Sequence, residues 1–334
     1  MTPAVARCVA KYFMDDPMPL RLCYLERTFK NNSSYQGRLK ERAETGAELI
    51  GDDSEDADAE MIAMVIDSLR QAGLKEFQVE LGQVAFYRSL LKEEEVEEEL
   101  NQYIENKNYF AVEGLLKNQP VDEGLKKVFL KLPELFGSLE QMQEAKKLTA
   151  NPGALAAIER LEKVHSILES RGLEAYVSYD LGMLSRYQYY TGIIFKAYTY
   201  GTGDYIVTGG RYDKLLVQFG KDTPAVGFVI VVDQLMAALS RQQIDVPVTL
   251  VNTVILYETS ARSRALWLGS YFRDKGLAVQ SMKKKEQVAL EDYKAMAIQR
   301  GMRNVLYLKG DGTVVTAMDT VNGNTDQIPI TAYE

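Results

Sequence analysis

The sequence is short of the residues that most catalytic and metal sites use. Its 334 residues include one histidine (His165), two cysteines (Cys8 and Cys23) and one tryptophan. One histidine cannot supply a multi-histidine metal site, and a histidine-based nucleophile would depend on His165 alone, which lies in a helical pattern typical of an ordinary helix residue. The cysteines have no metal-ligand spacing, so we expect reduced thiols in a cytoplasmic protein.

Excess positive charge and long apolar runs are also absent. The chain has 39 Lys and Arg against 47 Asp and Glu, a net charge of −8, which argues against a nucleic-acid-binding surface. It contains no apolar stretch of about 18 residues, so we expect no membrane span. P-loop, Rossmann, zinc and nucleophile-elbow motifs are missing. We therefore predict no cofactor, no metal, and no membrane or nucleic-acid partner.

The most informative stretch that is present runs from residue 185 to residue 235. Tyr189–Tyr200 has the composition of a strand, a turn follows, and Tyr205–Thr208 resumes the strand pattern, which predicts an antiparallel hairpin. Val226–Val232 is a continuous apolar run, either a buried strand or the entry to a buried helix.

Polar and glycine residues near the ends of this hairpin suggest a pocket. Gly209 and Gly210 end the strand pattern, as glycine pairs do where backbone or a ligand approaches closely. Tyr189, Tyr190 and Tyr212 fall near the same strand ends. They would line a pocket for a small polar ligand with a flat ring, or else belong to a well-packed antiparallel core.

Carboxylates stand out in the first fifty residues. Arg21–Gly51 reads as strand, polar loop and strand, and Glu44 and Glu48 share parity, so they would point to one face. Glu48 has small and apolar neighbours, and a buried carboxylate there would need a donor such as an amine or imidazole N–H. Asp52–Glu60 precedes an amphipathic pattern, which predicts a solvated helix N-terminus rather than a metal site.

The rest of the chain indicates the domain organisation. Thr2 and Pro3 predict a helix start with Thr2 as its N-cap. Residues 86–153 read as a helical insertion with a small core of its own: Leu115, Leu116, Val128, Phe129, Leu132 and Leu135. After a linker, strands and helices alternate, which predicts a small α/β domain with a largely parallel sheet; Lys283–Lys285 beside it reads as a solvated turn. The expected divisions are 1–85 and 154–242 for a core, 86–153 for the insertion and 251–334 for the last domain.

Four segments resemble class II histidyl-tRNA synthetases: GRLKERAETGAELIG (37–51), YQYYTGIIF (187–195), TGGRYDKLLVQFG (208–220) and TPAVGFVIVVDQL (223–235). The similarity covers nearly the whole chain. It implies an α+β fold, with an antiparallel sheet flanked by helices, a helical insertion and a small C-terminal α/β domain. That family places its first class II motif, which forms the dimer, ahead of the position of Thr2, so we expect an N-terminal segment to be missing from this sequence.

The resemblance also implies a histidine pocket. Glu48 and Tyr190 match the residues that take the imidazole, and Thr2 and Glu44 match those that meet the α-amino group, with Glu44 standing where the synthetases have glutamine. The full set that the resemblance and the strand pattern assign to histidine binding is Glu48, Glu44, Tyr190, Tyr189, Tyr212, Thr2 and Gly210.

The positions that activate the amino acid depart from the synthetase pattern. Lys30 and Gln234 stand where the second and third motifs have arginine, and Ser185 stands at the catalytic arginine, with Arg186 one place displaced. We count Arg38 with Lys30, Ser185 and Gln234 as a degenerate synthetase position. Lysine loses the bidentate fork, and glutamine or serine loses the charge. Since activation develops charge on a transferring phosphoryl group, the resemblance implies that aminoacylation is lost.

A chain that keeps the histidine pocket but lacks the residues for activation resembles the regulatory subunits of ATP phosphoribosyltransferase, a family of synthetase paralogues. LGMLSRYQYYTGIIFKAYTYGTGD and LERTFKNNSSYQGRLKE are closer to that family than to true synthetases. The resemblance implies a non-catalytic subunit, a homodimer within a hetero-oligomer. It would be needed by a short-form catalytic subunit at the first step of histidine biosynthesis, and it would bind histidine for feedback inhibition. The alternatives are a divergent histidyl-tRNA synthetase and a shortened remnant without activity.

Overall fold

A computed structural model describes residues 1–13, 15–31, 40–91, 97–118, 122–184, 189–246 and 251–333. The chain divides into two compact units, residues 1–246 and residues 247–334. Across the described ranges, no helix combines the length and the apolar character needed to cross a membrane.

The first unit is built on an eight-stranded sheet. Its strands are β1 Leu20–Phe29, β2 Glu41–Ile50, β3 Phe77–Gln83, β4 Phe136–Gly137, β5 Val177–Asp180, β6 Ile193–Thr199, β7 Val207–Arg211 and β8 Ala225–Val231. The spatial order is β1-β2-β8-β7-β6-β3-β5-β4. Neighbouring strands are antiparallel except for the parallel pair β3 and β5.

Helices surround this sheet. They are α1 Thr2–Tyr12, α2 Glu55–Gln71, α3 Val84–Leu91, α4 Glu97–Glu105, α5 Tyr109–Asn118, α6 Glu123–Lys131, α7 Leu139–Leu148, α8 Pro152–Ser170 and α9 Val232–Arg241. Helix α2 begins where the acidic run predicts a helix start, because the Ser54 side chain caps it by accepting a hydrogen bond from the Ala57 N–H at 3.2 Å. Thr2 lies inside α1, whose N-cap is Met1, so the prediction of Thr2 as N-cap is wrong.

The strand register separates the two faces of the sheet. Leu49, Phe195 and Phe228 point to one face and belong to the large core formed with α2 and α8. Glu48, Gly227, Gly210, Ile194 and Gly82 are register partners across five strands, so they share the other face. Helix α1 covers one end of that second face through Ala6 and Val9. The second face is where the predicted pocket residues lie.

The hairpin prediction is confirmed with one change. Strands β6 and β7 pair antiparallel, but Gly209 and Gly210 lie inside β7 rather than after it. A Cβ on Gly209 would lie 2.4 Å from the Phe195 ring and 2.6 Å from the Gly227 carbonyl oxygen. Glycine therefore marks close packing between strands here, not the end of a strand. The Val226–Val232 run is the buried strand β8, which leads directly into α9.

The insertion differs from the prediction in its core. Leu116, Val128, Phe129, Leu132 and Leu135 are buried, but they belong to the same core as the sheet and α8, so the predicted separate small core is wrong. The segment also contains the two-residue strand β4, which pairs with β5. Apolar helical spacing predicts burial but does not say against which element a side chain is buried.

The second unit contains a five-stranded sheet. Its elements are β9 Thr253–Tyr257, α10 Arg262–Asp274, β10 Val279–Lys283, α11 Leu290–Gln299, β11 Asn304–Leu308, β12 Val314–Asp319 and β13 Thr325–Pro329. The order is β10-β9-β11-β12-β13, with parallel pairs at β10–β9 and β9–β11 and antiparallel pairs at β11–β12 and β12–β13. The sheet is thus half parallel, and the prediction of a largely parallel sheet missed β13, whose sequence TDQIP has little strand character.

Candidate functional site

Glu48 is a buried carboxylate on the second face of the sheet, the face that α1 partly covers. It lies on β2 with an exposed fraction of 1%. Thr2 Oγ1 donates a hydrogen bond to Glu48 Oε1 at 3.0 Å, and the Tyr24 hydroxyl reaches the same oxygen at 3.4 Å. The Tyr212 hydroxyl donates a short hydrogen bond to Oε2. Hydroxyl groups from α1, β1 and the end of β7 therefore converge on one carboxylate.

Glycines make the room that this carboxylate occupies. A Cβ on Gly227 would lie 1.7 Å from Glu48 Oε2, and a Cβ on Gly46 would lie 2.6 Å from the Tyr24 hydroxyl. Both glycines lie on the same face as Glu48, one on β8 and one on β2. The absence of side chains at these positions keeps the carboxylate and its hydroxyl partners in place.

The electrostatics of Glu48 are those of a group close to protonation at neutral pH. Burial raises the pKa of Glu48 from 4.5 to about 7, and hydrogen bonds from Tyr212 and Thr2 limit the rise. Within the described ranges, no lysine or arginine side chain forms an ion pair with it. Its hydrogen-bond partners are hydroxyl groups, and the charge of the N-terminal ammonium also lowers its pKa, so an added N–H donor would be stabilising.

The predicted tyrosines do come together. The ring centroids of Tyr189 and Tyr190 are 4.8 Å apart, and Tyr189 meets Tyr212 edge-on at 6.1 Å. Tyr190 is 6% exposed and packs so closely on Gly210 that a Cβ there would lie 2.8 Å from its ring. Burial raises the pKa of the Tyr212 hydroxyl, and the Glu48 charge raises it further, so Tyr212 is a hydrogen-bond donor. The rings are packed as the core interpretation expects, and they also border Glu48. The ligand pocket stays a prediction.

Glu44 shares the face of Glu48 but has another partner. It is 4% exposed, and its carboxylate lies 3.5 Å from the Lys30 ammonium. Gln234 lies in the first turn of α9, three residues after Val231, the strand residue that pairs with Glu44. The two other altered synthetase positions, Arg38 and Ser185, lie outside the described residues, as does the neighbouring Arg186.

Sequence reasoning missed Tyr24. This residue pairs in register with Gly46 on the neighbouring strand, and the glycine leaves space for its hydroxyl to reach Glu48. Nothing in the β1 sequence distinguishes Tyr24 from any other strand tyrosine. The signal would have been the register itself, which depends on contacts between strands rather than on local pattern.

A second buried carboxylate lies on the opposite face of the sheet. Asp58 is 0% exposed, and its two oxygens accept hydrogen bonds from Arg211 Nε at 2.8 Å and Arg160 Nε at 2.7 Å. The prediction that the acidic start of α2 is solvated is therefore wrong for Asp58. The reason is its position, because the first turn of α2 places it under β7, facing Arg211.

The described ranges contain no metal-binding cluster. No group of three or more His, Cys, Asp or Glu side chains is placed there to hold an ion. Cys8 and Cys23 are free and exposed, and His165 on α8 hydrogen-bonds through Nδ1 to the Tyr179 hydroxyl at 2.7 Å. None of these three residues takes part in the cluster around Glu48.

Comparison with known proteins gives a family match over most of the chain. Residues 1–235 match the sequence model of the histidyl-tRNA synthetase family. An ATP phosphoribosyltransferase regulatory subunit from Acetivibrio thermocellus is 35% identical over 326 residues, which cover 96% of this chain and 75% of the relative. One from Clostridium acetobutylicum is 40% identical over 245 residues, covering 72% and 60% of the two chains.

Solved structures agree on the fold. The crystal structure of an ATP phosphoribosyltransferase regulatory subunit/histidyl-tRNA synthetase from Bacillus halodurans superposes with a TM-score of 0.77 at 30% identity, covering 92% of this chain and 78% of that one. A histidyl-tRNA synthetase from Nostoc also gives 0.77, at 18% identity, covering 98% and 80%. The expected fold class, an antiparallel synthetase-like sheet flanked by helices with a small second sheet domain, is confirmed.

Proposed function

Because the chain belongs to the ATP phosphoribosyltransferase regulatory subunits, a family built on the histidyl-tRNA synthetase fold, we propose that it senses histidine and catalyses no reaction itself. Its partner is a short-form catalytic ATP phosphoribosyltransferase, which carries out the first step of histidine biosynthesis. The chain acts as a homodimer within that hetero-oligomer.

The cluster around Glu48 carries the proposal. An ionised carboxylate accepts about four hydrogen bonds, and the three hydroxyls of Thr2, Tyr24 and Tyr212 supply three of them. One acceptor position remains for an imidazole N–H, with the imidazole ring against Tyr190. A buried carboxylate without an ion pair gains most from a donor that also carries positive charge, as histidine does when protonated.

The α-amino group of histidine meets Glu44. Lys30 lies 3.5 Å from this carboxylate and shields its charge. An ammonium that approaches Glu44 competes with Lys30, so histidine binding and the position of β1, which ends one residue before Lys30, are linked. Thr2 and Gly210 complete the pocket on either side.

Activation of histidine is not expected at this site. A phosphoryl transfer site needs cations aimed at the developing charge. Lys30 is turned to Glu44, and Gln234 is uncharged where the synthetases have arginine. The pocket therefore retains the residues that recognise histidine but lacks the cations that would activate it.

Regulation follows by linkage. Histidine that binds one quaternary state of the assembly more tightly than the other shifts the population toward that state, by no more than its difference in affinity. If the favoured state is the inactive one, histidine inhibits without touching the catalytic site.

The deciding experiment is reconstitution. This chain is mixed with a short-form catalytic ATP phosphoribosyltransferase, and phosphoribosyl transfer is assayed with and without histidine. We expect activity to appear on mixing and to fall as histidine is added. Absence of activation in a mixture that co-elutes as a complex would contradict the regulatory role.

A second assay separates the regulatory subunit from a divergent synthetase. The chain is incubated with histidine, ATP and labelled pyrophosphate, beside an active histidyl-tRNA synthetase as the control. We expect no pyrophosphate exchange above background. Exchange that depends on histidine would overturn the proposal in favour of an enzyme.

A further inference from the structure

A cavity opens on the same face of the large sheet as Glu48, but away from it. It has a volume of about 430 Å³, within the range of about 300–1,000 Å³ usual for small-molecule sites. The sheet contributes Glu80, Asp180 and Tyr198, and the helical insertion contributes Lys107, Tyr109 and Phe136. Nothing in the proposed histidine site uses any of these six residues.

The register shows how this cavity is related to the histidine pocket. Glu80 on β3 pairs with Lys196 on β6, which pairs with Thr208 on β7, and this row leads across the same face to Gly46 on β2. Four strand spacings of about 4.8 Å separate β3 from β2, so the two sites lie about 20 Å apart. They are separate sites on one sheet.

The carboxylates in this cavity have unequal surroundings. Asp180 accepts a hydrogen bond from the Gly182 N–H at 2.8 Å and forms a short ion pair with Lys107. Glu80 is half-buried, and among the described residues nothing donates a hydrogen bond to its carboxyl group or forms an ion pair with it. Burial and the nearby Asp180 charge raise the pKa of Glu80, and the charges of Lys107 and Lys196 limit the rise.

Aromatic and cationic groups complete the lining. Phe136 is 52% exposed and Tyr198 is 38% exposed, so both present ring surface to the cavity. The Lys107 side chain is 55% exposed, and its ammonium has three N–H donors, of which Asp180 needs one. Lys196 is the register partner of Glu80 on the neighbouring strand. Rings, an unpaired carboxyl and the Lys107 ammonium thus face one volume.

We propose that this cavity binds a purine nucleotide. The base stacks on Tyr198 and Phe136, and the ring edge, which offers an N–H donor beside a ring nitrogen, pairs with the Glu80 carboxyl group. The phosphate lies at the mouth against Lys107, within reach of Lys196. The base, its polar edge and the phosphate each meet a protein group that is otherwise exposed or without a hydrogen-bond partner.

Calorimetric titration of the whole chain with AMP tests this site, with adenosine and ribose 5-phosphate as partial ligands. We expect AMP to bind, and each partial ligand to bind at least about tenfold more weakly because it lacks one of the two recognised groups. Glu80→Leu should weaken AMP binding by about tenfold or more, because a buried polar edge of the base is left unpaired. Glu80→Gln should stay within about threefold, since an amide also offers one donor and one acceptor.

Matched variants separate recognition from folding. Glu76→Leu introduces the same change at an exposed position just before β3 and should leave AMP binding unaltered. Tyr198→Leu removes a stacking surface without touching a charge and should weaken binding as well, so it serves if Glu80→Leu unfolds. No AMP binding by the unaltered chain, or binding that neither Glu80→Leu nor Tyr198→Leu changes, would overturn the proposal.

Discussion

Glu48 and Asp58 lie on opposite faces of the same sheet, and both are almost inaccessible to solvent, with exposed fractions of 1% and 0%. Asp58 is held by the guanidinium groups of Arg211 and Arg160, and Arg211 also forms an ion pair with Asp213 at 3.0 Å. Glu48 is held by the hydroxyls of Thr2, Tyr24 and Tyr212.

The difference lies in what each carboxylate can still accept. Burial raises the pKa of Asp58, but the positive charges of Arg211 and Arg160 act in the opposite direction. Their hydrogen bonds fill the site with charge of the opposite sign, so a further cation there would be repelled. Glu48 has only neutral partners, which stabilise its negative charge without cancelling it. The two guanidinium groups suit a carboxylate that joins elements of the fold, whereas neutral hydroxyl partners leave Glu48 able to accept the ligand that we propose.

The largest effect should come from breaking the Asp58 cluster. Asp58→Asn leaves two guanidinium groups without their carboxylate, and the Arg211 side chain is only 3% exposed. Removing one partner of a buried ion pair costs about 3–5 kcal/mol. We expect a loss of that size in the free energy of unfolding, measured by urea denaturation.

Asp67→Asn is the matched control for this change, because Asp67 is on the same helix with a side chain that is 43% exposed. It should alter the free energy of unfolding by less than about 0.5 kcal/mol. A loss below about 1 kcal/mol for Asp58→Asn would show that the cluster does not have the structural role we assign to it.

A smaller effect, on binding rather than stability, is expected at Glu48. Glu48→Gln keeps the shape but replaces a charged acceptor with a neutral one, and hydrogen bonds to charged groups contribute about 1.5–3 kcal/mol. We expect histidine affinity to fall about 100-fold in calorimetric titration. Inhibition of the reconstituted complex by histidine should be lost, while the complex still assembles.

Glu41→Gln provides the comparison for that variant. Glu41 is on the same strand, but its side chain is 46% exposed and pairs with Arg27 at the surface. It should bind histidine as the unaltered chain does. If Glu48→Gln and Glu41→Gln were equally sensitive to histidine, Glu48 would not be the sensor.

The pH dependence of stability gives a third test of the contrast. Because the pKa of Glu48 in the folded chain, about 7, exceeds its ordinary value of 4.5, the folded state holds this proton more tightly than the unfolded state. The resulting stabilisation is complete below about pH 4.5 and is lost as the pH rises through about 7, a change of about 3 kcal/mol.

Urea denaturation of the unaltered chain and of Glu48→Gln, without histidine, measures this dependence. The difference in unfolding free energy between the two chains should change in favour of Glu48→Gln as the pH is raised from about 4.5 to about 8. A difference that stays constant over this interval would mean that Glu48 is already ionised at the acidic end, contrary to the argument from burial.

These two carboxylates also show what could be predicted from the sequence. The parity of Glu44 and Glu48, and the small neighbours of Glu48, predict a buried carboxylate on a defined face, because strand periodicity is local. Asp58 was expected to be solvated, because local pattern places it in an acidic helix start. Its burial depends on Arg211, which is 153 residues away along the chain.

The same division holds for the partners of Glu48. The resemblance places Tyr212 and Thr2 in the histidine pocket, although not as partners of Glu48, whereas it does not include Tyr24, whose role depends on the register between β1 and β2. The ion pair between Lys30 and Glu44 was likewise not foreseen, although both residues had been singled out separately. Contacts between distant segments follow from strand pairing, which no single segment determines.

The smallest expected effect distinguishes the hydroxyl donors of Glu48 from one another. The Tyr24 hydroxyl is 3.4 Å from Glu48 Oε1, at the long end of hydrogen-bond geometry, whereas the Tyr212 hydroxyl makes a short bond to Oε2. Tyr24→Phe should therefore weaken histidine binding by about 0.5 kcal/mol, or roughly twofold, the low end of a neutral hydrogen bond. Tyr212→Phe, the same substitution at the closer donor, should have the larger effect in the same titration. Equal losses for the two variants would mean that the two hydroxyls act only by filling space and not as hydrogen-bond donors. The contrast between Glu48 and Asp58 would then depend on the Glu48 carboxylate itself and not on its hydroxyl partners.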